Sequence, residues 1–85
     1  MSLEDEFNEA QKRVKTLSSA PSNDKLLELY SLFKQGTTGD VQGKRPGMLD
    51  IKGRAKYDAW AGRKGMSTDE AQQAYVALVD DLMKG

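Results

Sequence analysis

The sequence predicts an all-α protein of four helices, and three observations carry that prediction. Apolar residues recur at spacings of three and four along successive segments. Side chains able to cap a helix stand at three of the segment starts. No segment alternates apolar and polar residues as a half-buried strand would; "YVALV" (75–79) has β-branched character but lies inside a longer helical pattern.

The first helix is read from Leu3, Phe7, Ala10, Val14 and Leu17, with Ser2 as N-cap and acidic residues in the first turn, where the helix dipole favours them. "SSAPSND" interrupts it, because Pro21 disfavours helix at Ala20 and either Ser22 or Asn23 can cap the next helix. The second helix spans about Asn23 to Thr38, with Leu26, Leu29, Tyr30 and Phe33 on one side and Leu27 adjoining beside Lys34. The third spans about Ile51 to Arg63. The fourth carries Ala71, Ala74, Tyr75, Leu78, Val79 and Leu82 on one face and opens on a capping box, Ser67 with Glu70. Links one–two and three–four are short and favour antiparallel neighbours. The link from Gly39 to Asp50 is long enough to let helices two and three depart from an up-and-down order.

The 85 residues suit one small domain over 1–85, and 13 basic side chains balance 13 acidic ones. A neutral chain lacks the cationic surplus of a non-specific nucleic-acid binder, so no nucleic-acid partner is expected. Cysteine and histidine are absent, which removes disulfides, thiol chemistry, the commonest zinc ligand and the usual near-neutral base; no metal site is expected. "MSLEDEF" has no secretory apolar run, and no stretch approaches the ~20 apolar residues of a membrane span, so the expectation is a soluble intracellular domain. The carboxylates lie in helix first turns and on polar faces, and no spacing singles out a buried general base, so a binding module is expected rather than an enzyme.

Two helix faces hold residues that could bind a ligand. Tyr30, Phe33 and Lys34 at i, i+3 and i+4 put two rings and an ammonium together. Lys52 and Lys56 at i and i+4 stand beside the small residues Ala55 and Ala59, with Arg63 near the same line. Each face has a plainer explanation. The rings could be core with the Lys34 stem laid over them, and the second face could be a solvated basic surface balanced by Asp50 and Asp58. Taken together, the faces offer rings for a base and point charges for a phosphate monoester. Tyr75 fits equally as a core tyrosine or as a ligand contact, and Trp60 reads as core. "GDVQGKR" departs from a phosphate-binding loop in its glycine spacing and in lacking a preceding strand, so its glycines are read as turn residues.

"PSNDKLLELYSLFKQGTTGD" (21–40) and "KRPGMLDIKGRAKYDAW" (44–60) resemble the acyl-CoA-binding protein family, also called diazepam-binding inhibitor, over essentially the whole chain. The resemblance implies a four-helix bundle with up-down-down-up topology and a cytoplasmic, monomeric, non-enzymatic carrier of long-chain acyl-CoA thioesters. It implies no cofactor and at most transient membrane contact. By the same resemblance Tyr30, Lys34 and Lys56 surround the 3′-phosphate, Phe33 lies at the adenine, and Lys52 and Tyr75 lie near the nucleotide and pantetheine. Lys15 matches a further ligand contact, and Leu26 and Leu27 line part of the acyl groove. Phe33 and Tyr57 stand where the family often has tyrosine and tryptophan, Gly62 where a better helix former is usual, and Gly36 is expected to fray the end of helix two. The alternative is a helical interaction module presenting the Tyr30/Phe33 face to a partner helix.

Overall fold

Each helix begins where a side-chain oxygen meets a free backbone N–H. The computed structural model describes residues 2–84. Ser2 caps α1 (Leu3–Val14), Ser22 caps α2 (Asn23–Thr37), and Asp50 caps α3 (Ile51–Ala61). Ser67 and Glu70 close the expected capping box on α4 (Thr68–Met83). The Asp50 cap dictates its neighbour. Its carboxylate accepts from the Gly53 N–H at 3.0 Å, and a Cβ at Gly53 would overlap that carboxylate.

Side-chain pairs establish the helix directions. Phe7 meets Tyr75 and Arg13 meets Asp80, so α1 and α4 run parallel. Lys56 lies over Tyr30 and Trp60 under Lys34, so α2 and α3 also run parallel. Phe7, early in α1, lies beside Phe33 and Gly36, late in α2, which sets those two antiparallel. The order is up-down-down-up, and the long second link is what returns the chain for a parallel neighbour. Helix α4 packs against both α1 and α2, and α3 packs against α2, in a slab of 39 × 29 × 15 Å.

The core joins Phe7 and Ala10 of α1, Leu29 and Leu32 of α2, and Ala71, Tyr75 and Val79 of α4. Helix α3 adds nothing to it. Its one buried residue, Trp60, lies apart and donates its indole N–H to the Gly39 carbonyl at 2.7 Å. Two further straps bind the second link to α3. The Tyr57 hydroxyl donates to the Gly43 carbonyl, and Arg45 forms a bidentate pair with Asp58. Gly39 and Gly43, both at positive φ, supply the two turns that bring these carbonyls to α3. Gly36 does not fray α2, which continues to Thr37. Its carbonyl accepts from the Gln72 side chain, and a Cβ there would crowd Gln72 and Phe7, so the glycine lets α2 and α4 approach closely.

Gln35 is fully buried and its amide nitrogen donates to Asp40 and to the Met66 carbonyl. Asp40 also accepts from the Gly65 N–H at 2.9 Å. The Gly65 N–H and the Gln35 amide, with some help from Lys64, hold the Asp40 carboxyl below its ordinary 3.8 against a smaller opposing effect of desolvation. The folded state thus binds this proton less tightly than the unfolded chain. The contribution is complete above the ordinary value and is lost as pH falls through the lowered one. The melting-temperature gap between the parent and Asp40→Asn is expected to be constant from about pH 5 upward and to close below the ordinary 3.8. A gap that persists undiminished in acid would mean that Asp40 acts other than through its charge.

Candidate ligand-binding groove

The parallel pairing of α2 and α3 places the N-terminal halves of both helices side by side. Between them lies a groove of about 420 Å³, walled by Asn23, Leu26 and Leu27 of α2 and by Ile51, Lys52, Ala55 and Lys56 of α3. That volume lies within the range of small-molecule sites. Leu26, Leu27, Lys52 and Lys56, singled out from the sequence, are brought together here. Asn23 and Ile51 were not singled out. Their signal is periodic, since Asn23 precedes Leu26 and Leu27 by three and four residues and Ile51 precedes Ala55 by four.

Further along the same helix pair, two ammonium groups rest on rings of the facing helix. Lys56 Nζ lies 5.4 Å from the centroid of Tyr30, and Lys34 Nζ lies 4.9 Å from that of Trp60. The pairs are reciprocal, because each helix contributes one ring and one lysine at a four-residue spacing. A ring holds an ammonium by only ~0.5–1 kcal/mol at an exposed site and occupies none of its N–H donors. Trp60 is buried, though apart from the apolar cluster of α1, α2 and α4, and also serves as the bed for Lys34.

The two carboxylates that flank the α3 lysines in sequence, Asp50 and Asp58, are engaged elsewhere. Asp58 holds Arg45 at 2.7 Å, which keeps its carboxyl below the ordinary range, and Asp50 is turned onto its own helix N-terminus. Among the described residues, none of Lys34, Lys52 and Lys56 has a carboxylate partner. Arg63 does not extend the lysine line. Its guanidinium donates to the buried Ser31 hydroxyl at 3.1 Å, and with Ala59 it lines a separate depression of about 260 Å³ between the same two helices.

The remaining candidates lie outside the groove walls. Lys15 is exposed at the C-cap of α1, at the end of the bundle where Lys52 opens α3. Phe33 is half-buried against the core, its ring 6.2 Å from Phe7. Tyr75 is 5% exposed and meets Phe7 edge-on at 5.1 Å; burial pushes its phenol upward from 10.0. Tyr75, Phe7 and Phe33 thus form an aromatic row crossing α4, α1 and α2, with Tyr30 three residues before Phe33.

Comparison with known proteins adds an independent finding. The profile of a family described as "Acyl CoA binding protein" matches residues 4–79. A protein from Caenorhabditis elegans named acyl-CoA-binding protein homolog 1 is 57% identical over 77 residues, covering 91% of this chain and 90% of its own. An acyl-CoA-binding protein homolog from Manduca sexta is 50% identical over 84 residues, covering 98% and 93%. The crystal structure of Oryza sativa Acyl-CoA-Binding Protein 2 matches this fold with a TM-score of 0.93 at 41% identity, over 98% of this chain and 92% of that one.

The two aromatic–lysine neighbours on α2 are expected to differ in what they do for stability. Phe33→Ala should cost about 2 kcal/mol in urea unfolding, less than a fully buried phenylalanine because the ring is half-covered. Lys34→Ala should cost under about 1 kcal/mol. Equal costs for the two would contradict the packing of Phe33 on Phe7.

Proposed function

This chain belongs to the acyl-CoA-binding protein family, and we propose that it binds long-chain acyl-CoA thioesters tightly, as a monomeric cytoplasmic carrier and pool former rather than an enzyme. One observation carries the reading: among the described residues Lys52 and Lys56, which line an apolar groove between two parallel helices, and Lys34, further along the same helix pair, have no carboxylate partner. In this reading Lys34, Lys56 and Tyr30 receive the 3′-phosphate, the ammonium groups turning their free N–H donors from the rings to the anion. Phe33, anchored on Phe7, lies at the adenine. Lys52, Lys15 and Tyr75 meet the nucleotide and pantetheine, and Leu26 and Leu27 take the start of the acyl chain. Nothing in this arrangement calls on a metal or cofactor; among the described residues no cluster of side chains could hold a metal ion.

Magnitudes require both ends of the ligand. Each charge-assisted hydrogen bond contributes ~1.5–3 kcal/mol net, and burying about ten methylenes contributes ~8 kcal/mol. A nanomolar complex needs ~12 kcal/mol after ordering costs are subtracted. Neither the nucleotide nor the chain reaches that alone. The other reading, a module offering Tyr30 and Phe33 to a partner helix, is weakened by the turn of the Phe33 ring onto Phe7.

Calorimetric titration tests the assignment. Palmitoyl-CoA is expected to bind at least about a hundredfold more tightly than CoA or palmitate alone; palmitate competing as well as its thioester would sink the proposal. Lys34→Ala is expected to weaken palmitoyl-CoA binding at least about tenfold. The same substitution should leave the dephospho-CoA thioester almost unaffected, since that ligand lacks the group Lys34 is assigned to hold. Equal losses for the two ligands would remove Lys34 from the phosphate.

A further inference from the structure

The lysines of the α2–α3 face differ in what holds them. Lys34 Nζ rests on the ring of Trp60 and Lys56 Nζ on that of Tyr30. Among the described residues Lys52 has neither an acid nor a ring as partner. It stands in the wall of the groove of about 420 Å³, one turn of α3 before Lys56 and in the same groove as Leu26 and Leu27 of α2.

The rest of that wall is chemically inert toward an activated acyl group. Asn23, Leu26, Leu27, Ile51 and Ala55 offer it no nucleophile. The chain has neither cysteine nor histidine, so it has no thiol to take an acyl group and no imidazole to activate a hydroxyl. Lysine amines are the side-chain nucleophiles that remain, and Lys52 and Lys56 bring two of them into the groove.

The next step rests on the reading that the groove holds an acyl-CoA thioester. The reactive carbonyl of that ligand is the junction between its polar pantetheine arm and its apolar chain. With the chain on Leu26 and Leu27 and the 3′-phosphate held by Lys34 and Lys56, Lys52 is the uncommitted amine left to meet that junction.

We propose that Lys52 is a self-acylation site, at which the protein takes the acyl group of its own bound thioester. The unprotonated Lys52 amine attacks the thioester carbonyl. The amide C–N bond forms as the C–S bond breaks, and the proton shed by the amine ends on the sulfur of the departing CoA. Nothing is oxidised or reduced. Holding amine and carbonyl in one groove replaces a bimolecular encounter by a step within the complex. The product keeps its chain along the apolar walls and exchanges an ammonium for a neutral amide. The step is stoichiometric, not turnover: each event fills one groove and removes one copy from the binding pool.

Incubation with saturating palmitoyl-CoA tests this, read by peptide mass spectrometry and by released thiol. Because the chain has no cysteine, every thiol detected is CoA. A single palmitoyl group is expected on Lys52, in at least about tenfold excess over the exposed Lys64 and Lys84 outside the groove, with CoA released in equal amount. Lys52→Arg keeps the cation and removes the nucleophile, and is expected to lower acylation at least about tenfold. Calorimetry on the same samples sets saturation for each protein, so weaker binding by the variant does not mimic the loss. No binding of palmitoyl-CoA to the parent would overturn the reading of the groove and self-acylation with it. Four results would overturn self-acylation alone: binding without an adduct, an adduct spread evenly over the lysines, CoA released with free palmitate instead of an adduct, or Lys52→Arg acylated like the parent.

Discussion

The buried amide of Gln35 holds the candidate site together. Its nitrogen binds Asp40, at the start of the second link, and the Met66 carbonyl, at the end of the third, while Asp40 reaches on to the Gly65 N–H. Helix α3 is suspended between those two links and contributes nothing to the apolar core. Its placement beside α2 rests on its direct packing against that helix and on tethers at its flanks, of which this is the most deeply buried. The amide is also fixed in orientation. A reversed group would aim its oxygen at a carboxylate and a carbonyl, so the nitrogen faces both acceptors even though the Gln35 oxygen is left buried without a partner. That unmet oxygen costs free energy, offset by two short bonds that only this orientation allows.

With α3 held in this way, a neutral protein presents a cationic face. The face arises in part from the commitment of two acids that flank its lysines in sequence. Asp58 is claimed by Arg45 and Asp50 by the α3 N-terminus, so the ammonium groups of Lys34, Lys52 and Lys56 are left to solvent and to the π-faces of Trp60 and Tyr30. A ring holds a lysine near its working position without taking up its hydrogen-bonding capacity. An ion pair would hold it more firmly and would have to be broken before any phosphate could bind.

Two of the residues set apart by the resemblance, Tyr57 and Gly36, fit the fold through contacts of their own, and a third, Gly62, falls at a helix end. Tyr57, where tryptophan is common, uses its hydroxyl to hold the Gly43 carbonyl, a bond that restrains the second link. Gly36 exchanges helix propensity for a close approach of α2 to α4, sealed by the Gln72 amide on its carbonyl. Gly62 serves as the C-cap of α3, where the helix ends in any case.

The helices, their caps at Ser2, Ser22 and Ser67 and the apolar faces of α1, α2 and α4 were legible in the sequence, because periodicity and capping are local rules. So was the gathering of Tyr30 and Lys34 on one face of α2, and of Lys52 and Lys56 on α3. Local spacing could not tell a core ring from a binding ring. Phe33 and Tyr30 lie three residues apart on one helix, yet only contact with Phe7 draws the former toward the core. Nor could it tell which acids neutralise which bases, since Arg45 reaches Asp58 across thirteen residues and Arg63 reaches Ser31 across thirty-two. The sequence by itself determined the elements and their polar faces. The tertiary structure alone decided which carboxylates were already engaged, and so which lysines were left free, because ion pairing depends on distances that chain separation does not encode.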